Sequence, residues 1–187
     1  TSIPLENKER VEFLKGTSGI QAGTSAPGGL VNFVVKRPTV NDLRTLRLET
    51  TSDGGLLGHL ELGGRLGEDR RFGYRLNAVA ADVQSYLPDA GGKRQLLALA
   101  MDWRVSRDTL IEGEFEYSRL KQPSVPGLSL LGNVLPPANP FININSQPWS
   151  QPNQLDSFTG SVGIQQAINS QWRWQGQLGT QRLKSDD

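Results

Sequence analysis

From about residue 42 onward, hydrophobic and polar residues alternate in successive runs. Phe72, Tyr74, Leu76, Ala78 and Ala80 share one face of such a run, and Arg75 and Asn77 share the other. In a later run Ile111, Phe115 and Tyr117 oppose Glu112, Glu114 and Glu116. A β-strand sends successive side chains to opposite sides, so a period of two predicts strands with one apolar and one polar face. The pattern predicts seven strands, at residues 43–51, 57–66, 72–84, 94–103, 109–119, 157–168 and 171–180.

Residues 1–38 read differently. Arg10-Val11-Glu12-Phe13-Leu14-Lys15 alternates as a strand. The stretch from Gly16 to Gly29 is too rich in glycine for a stable helix and reads as a compact loop. Leu30-Val31-Asn32-Phe33-Val34-Val35 is a second, mostly apolar strand. Lys36-Arg37-Pro38 ends it, because proline cannot donate to a ladder.

The connections and the aromatics refine the picture. Turns at 67–71, 105–108 and 169–170 are short. They alternate with 52–55, 88–92 and a long segment at about 120–156. Transmembrane barrels have short periplasmic turns and longer external loops, whereas a soluble sandwich gives no reason for that parity. Phe72, Tyr74, Trp103, Trp172 and Trp174 fall at the end with the short turns, and Tyr117 and Phe158 at the other. Two aromatic girdles mark a barrel wall at its interfaces, although aromatics favour any strand. From the pattern alone, a membrane barrel and a soluble β-sandwich binding module both stand.

Composition removes several classes. The 187 residues carry 20 basic and 19 acidic side chains, a formal charge of +1, without the basic excess of a nucleic-acid binder. With no cysteine, a disulfide framework, a thiolate metal site and a cysteine nucleophile are excluded. No run approaches the ~20 apolar residues of a membrane helix, which leaves membrane strands of ~9–11 residues open. No nucleophile, base and orienter can be assembled, so the chain is not expected to be an enzyme. The lone His59 reads as a wall residue. The glycines Gly16, Gly19 and Gly23 lack the Gly-Lys-Ser/Thr ending of a phosphate loop.

Glu9-Arg10-Val11-Glu12-Phe13-Leu14-Lys15-Gly16, then Gly23, then Pro27-Gly28-Gly29-Leu30-Val31-Asn32-Phe33-Val34-Val35-Lys36-Arg37-Pro38, resembles the C-terminal end of the plug in TonB-dependent siderophore receptors. Val125-Pro126-Gly127-Leu128 and Ser146-Gln147-Pro148-Trp149 look like the same branch. The family often has an aromatic at the position of Ala22, so a substrate contact made there elsewhere is absent here. The resemblance implies an all-β segment of a large antiparallel barrel of about 22 strands. Residues 1–38 would be the C-terminal part of the plug. Residues 39–187 would be the first seven barrel strands, with the extracellular loop at about 120–156.

The implied function is import of a ferric siderophore across the bacterial outer membrane, gated by TonB acting on a region upstream of residue 1. Haem, cobalamin or a carbohydrate are the alternative cargoes. The implied partners are TonB, the ferric siderophore and outer-membrane lipid, with no nucleic acid. The ferric chelate is cargo, and no resident cofactor or metal is expected. By resemblance, Arg10 belongs to plug arginines that pair with barrel glutamates. The stripe Glu112, Glu114 and Glu116 offers partners, while a solvated strand residue is the plainer reading of Arg10. Near the outer mouth, Tyr86, Arg119, Lys121 and Trp149 suit an anionic, aromatic-rich chelate. The long loop, with its prolines and its Leu128, Phe141 and Trp149, is expected to fold on itself and roof the cavity.

Overall fold

The computed structural model describes residues 3–16, 28–125, 127, 130, 132–134, 139, 141–145 and 147–186. Among these the regular elements are nine strands. β1 (Lys8–Lys15) and β2 (Gly29–Val35) pair antiparallel as a separate two-stranded sheet. The others are β3 (Leu43–Thr50), β4 (Leu56–Leu66), β5 (Phe72–Val83), β6 (Gly92–Arg104), β7 (Thr109–Gln122), β8 (Asn153–Ala167) and β9 (Arg173–Asp186). They form one seven-stranded antiparallel sheet, each strand paired with its neighbours in sequence.

β3 and β5 end one residue short of the expected bounds, whereas β6, β7, β8 and β9 run past them at the end opposite the short turns. The polarity inverts there, with Arg119, Lys121 and Asp156 on the outer face and Leu120 and Leu155 on the inner one, while the ladder of backbone hydrogen bonds continues through Gln122↔Asn153 and Gln154↔Asp186. The expected alternation of short and long connections needs one correction. Residues 51–55 form a tight turn, closed by Thr51 N–H to Gly55 O at 3.0 Å, no longer than the turns at the opposite end. The asymmetry is carried by the connections 84–91 and 123–152.

The two faces of the large sheet differ as the period of two requires. On β6, Leu96, Ala98 and Ala100 are each 3% exposed, whereas Leu97 between them is 45% exposed. The buried face, here the inner face, carries Glu61, Arg75, Asn77, Arg94 and Glu112, Glu114 and Glu116. The outer face carries Leu46, Leu48, Leu97, Phe115, Phe158, Val162 and Leu178, all exposed. A sandwich would bury that apolar face against a second sheet. Here it is a continuous belt far larger than a monomer in water tolerates. Phe72, Trp103 and Ile111 lie side by side across β5, β6 and β7 at the short-turn end. Nearer the other end, Phe115 and Phe158 meet edge to face at 5.5 Å. Trp172 lies in the turn before β9.

Glycine is required where the hairpin begins its return. Gly29 has φ of +117°, and a Cβ there would stand 2.3 Å from the Leu14 carbonyl oxygen. On the inner face, a Cβ on Gly73 would stand 2.8 Å from the Pro38 Cβ, so this glycine lets the chain leaving the hairpin lie directly on the sheet. Gly19, Ala22, Gly23, Pro126 and Leu128 lie outside the described residues.

Candidate functional site

The β1–β2 hairpin is held to the inner face of the large sheet by its two flanks. On the entering side, Glu6 pairs with Arg94 of β6, one of the two contacts measuring 2.9 Å. Lys8 pairs with Glu116 of β7, and the same carboxylate accepts the Asn7 side-chain amide at 2.6 Å. On the leaving side, Lys36 reaches Glu61 of β4 at 2.9 Å, and Arg75 of β5 binds that carboxylate at 2.8 Å. Arg37 reaches Glu114 at 2.7 Å and Glu112 at 3.5 Å. The Lys36 N–H donates to the Asn7 carbonyl at 2.9 Å and ties the two flanks to each other.

The register explains why these side chains converge. Odd positions of β4 and β5 and even positions of β6 and β7 share the inner face. Toward the flanks the wall thereby sets four carboxylates and two guanidiniums, and the flanks answer with three cations and one carboxylate. Contacts of this kind rehydrate when the flanks leave. An apolar interface of the same size loses that compensation, so the arrangement grips yet permits release. Burial works against ionisation of Glu6. The bonded Arg94 guanidinium and nearby backbone N–H groups outweigh it and hold the carboxyl below its usual range.

Arg10 departs from expectation. It bonds Glu12 of its own strand at 2.7 Å and remains largely exposed. Asn32 and Arg10 together hold the Glu12 carboxyl below its usual value. Lys8 and Arg10 would share a face in a regular strand, but the ladder slips between them, pairing Lys8 with Val35 and Arg10 with Val34. Such a bulge re-aims the chain, so Lys8 meets the wall and Arg10 does not. The three glutamates Glu112, Glu114 and Glu116 do meet hairpin cations, namely Arg37 and Lys8. Sequence reasoning missed Glu6, Lys8, Lys36, Arg37, Glu61, Arg75 and Arg94. Their signal was parity: each wall member falls on the same face as the glutamate stripe.

No family model matches the chain. It is 33% identical over 114 residues to the metal-pseudopaline receptor CntO of Pseudomonas aeruginosa, a match covering 61% of this chain and 16% of that protein. It is 24% identical over 180 residues to the ferrichrome receptor FcuA of Yersinia enterocolitica, covering 93% of this chain and 24% of that protein. The crystal structure of BauA, the ferric preacinetobactin receptor from Acinetobacter baumannii, superposes with a TM-score of 0.85 at 22% identity, over 97% of this chain and 27% of that one. The chain's kin are TonB-dependent siderophore receptors. Its large sheet is a segment of their barrel fold. These relatives are transport receptors of the outer membrane, not enzymes. The chain spans 16% and 24% of the lengths of the two curated relatives.

In a TonB-dependent receptor the end with the longer connections faces outward. At that end the β7–β8 connection is fastened to the β5–β6 connection. The buried Asn143 donates to the Pro88 carbonyl at 2.9 Å, and Gln122 to the Ala90 carbonyl at 3.0 Å. Tyr86 and Trp149 lie in these two connections, 70% and 78% exposed. Arg119 and Lys121 require correction. They share the parity of Phe115 and Tyr117 and therefore lie on the outer face, not in the mouth. Arg119 bonds Asp156 at 2.7 Å and lies over the Tyr117 ring at 5.9 Å. On the inner side, a cleft of about 460 Å³ opens where the hairpin stands off β7–β9, lined by Phe33, Leu120, Leu155, Ser157 and Thr159 beside Lys8 and Glu116.

Proposed function

We propose that this chain belongs to a receptor that imports a ferric siderophore across the outer membrane. Residues 1–38 act as the C-terminal part of its plug, and residues 39–187 as its first seven barrel strands. The observation that carries the reading is the hairpin over the inner face, tethered to it by ion pairs at both flanks. A channel would leave that face to water, and a soluble binding module would bury the opposite, apolar face. Energy delivered through TonB displaces plug from wall, and a polar interface whose groups rehydrate on release is suited to that cycle. Tyr86 and Trp149, exposed on the outer connections, are the candidate cargo contacts.

The named cargoes of the relatives differ, so the proposal extends to ferric siderophores as a class. The test is growth under iron starvation of a strain lacking the full-length receptor, on a panel of ferric siderophores. The expected result is loss of growth on at least one of them, restored by the intact gene. A defect confined to haem or cobalamin would reassign the cargo.

A further inference from the structure

The inner face of the sheet is not uniform in charge. Under the hairpin, β4 to β7 carry the acids and arginines that meet its flanks. Beside it, the same face of β8 and β9 presents Ser157, Thr159, Ser161, Gln175, Gln177 and Gln181, all neutral hydroxyls and amides. Three hollows follow one another down this strip. The cleft of about 460 Å³ lies nearest the outer end, one of about 280 Å³ lies midway beside Ser161 and Gln177, and one of about 420 Å³ lies at the short-turn end. In the first two, the cations on the hairpin side are answered by carboxylates, Lys8 by Glu116 and Arg37 by Glu114. The third differs. Arg104 of β6, Arg107 in the β6–β7 turn and Arg173 of β9 line it together. All three are exposed, and among the described residues none of them closes an ion pair. Asp108 borders the hollow too, without pairing with any of the three guanidiniums, and three cations against one anion leave an excess of two positive charges.

The position of this hollow selects its occupant. Trp103 and Trp174 belong to the short-turn girdle on the outer face, and Arg104 and Arg173 are their sequence neighbours. Opposite parity turns these two arginines to the inner face at the same height. The short-turn end is the periplasmic one, so the arginines stand at the inward mouth of the lumen, on the side that lipid does not reach. A guanidinium is a planar fork of donors matched to a carboxylate, and a hollow of this size falls in the range of small-ligand sites, about 300–1,000 Å³.

We propose that Arg104, Arg107 and Arg173 form a receiving site for the carboxylates of an anionic ferric chelate as it leaves the barrel. The neutral strip above offers hydrogen bonds but no free charge to arrest the anion on its way. The rim supplies the counter-charge at the exit, and because its arginines are exposed they hold the chelate weakly enough to pass it on. The proposal rests on the siderophore-import reading and narrows its cargo to anionic chelates.

The test uses the full-length receptor in detergent, carrying a fluorophore on Ser170→Cys in the β8–β9 turn, where iron bound at this rim quenches it and iron at the outer mouth does not. Ferric citrate is the anionic probe and ferrichrome the neutral one. Ferric citrate should quench saturably, and Arg104→Gln/Arg173→Gln should raise its midpoint roughly tenfold, the loss of two exposed charge-assisted contacts. Arg104→Lys/Arg173→Lys should keep most of the affinity, and ferrichrome should not quench over the same range. Absence of saturable quenching by ferric citrate in the otherwise unaltered receptor overturns the proposal, as does equal quenching by ferrichrome, whether or not the Gln variant folds. So does an unchanged midpoint in the Gln variant. Growth on ferric siderophores without rim binding would overturn this site and leave the import reading standing. Rim binding without growth on any siderophore would overturn the assignment of the site to cargo together with the import reading.

Discussion

Glu116 is the most economical place to test whether the hairpin is held by charge. Its carboxylate serves Lys8 and the Asn7 amide together, and the Lys8 and Glu116 side chains are only 8% and 16% exposed. Replacing Glu116 with Ala leaves an ammonium and an amide at the wall without their acceptor. Removing one partner of a buried pair costs about 3–5 kcal/mol, and an orphaned polar group about 1–3 kcal/mol. The four-carbon stem of Lys8 lets its charge reach water, which favours the low end. A cost of about 3 kcal/mol for docking of residues 3–8 follows, roughly a hundredfold in the opening equilibrium. Two amides report that opening in the full-length receptor: Lys8 N–H, bonded to Leu5 O at 3.0 Å, and Lys36 N–H, bonded to Asn7 O at 2.9 Å. Hydrogen exchange at both should accelerate by about two orders of magnitude in Glu116→Ala. In Lys8→Met/Glu116→Leu, where both charges are gone, most of the protection should return. If Glu116→Ala exchanges at the unaltered rate, the flank is held by something other than this pair, and the hairpin is not held by charge.

Three further outcomes are expected. The Glu6 carboxyl is held below its usual range when docked, so its contribution is complete above the pKa of the undocked group and is lost as pH falls through the lower docked value. Protease access to residues 3–8 should therefore rise on acidification, and Glu6→Gln should flatten that rise. On the outer face, Leu99→Arg near the middle of β6 should destabilise the folded receptor by roughly 2–4 kcal/mol. Ile111→Arg, beside Trp103 at the interface, should cost only about 0–1 kcal/mol. Reversible unfolding into lipid vesicles measures both, and equal costs would refute the assigned depths. The isolated 187-residue chain should self-associate in water without detergent, because its apolar belt and its two sheet edges at β3 and β9 remain uncovered. A monomeric sedimentation profile would contradict that expectation.

The sequence by itself determined the strands and their faces. Alternation in Phe72–Ala80 and Ile111–Tyr117 follows from the geometry of an extended chain, and it placed Glu112, Glu114 and Glu116 on one side without further information. The hairpin was legible in the same way, since Gly29 and Pro38 punctuate it for local backbone reasons. Where strands ended was less legible, because the ladder outlasts the polarity pattern beyond Arg119. Only the tertiary structure decided which charges meet. Lys8 and Glu116 are 108 residues apart, and Glu6 and Arg94 are 88 apart. No local rule links residues at such separations. One irregularity between Lys8 and Arg10 redirected the hairpin's contact from the arginine to the lysine. The same holds for Arg119 and Lys121: their charge suggested the mouth, but parity, fixed once β7 is hydrogen-bonded between β6 and β8, turned them toward the membrane. Face follows from backbone period and is local, whereas partnership depends on register between distant strands and on how a second element is laid across them.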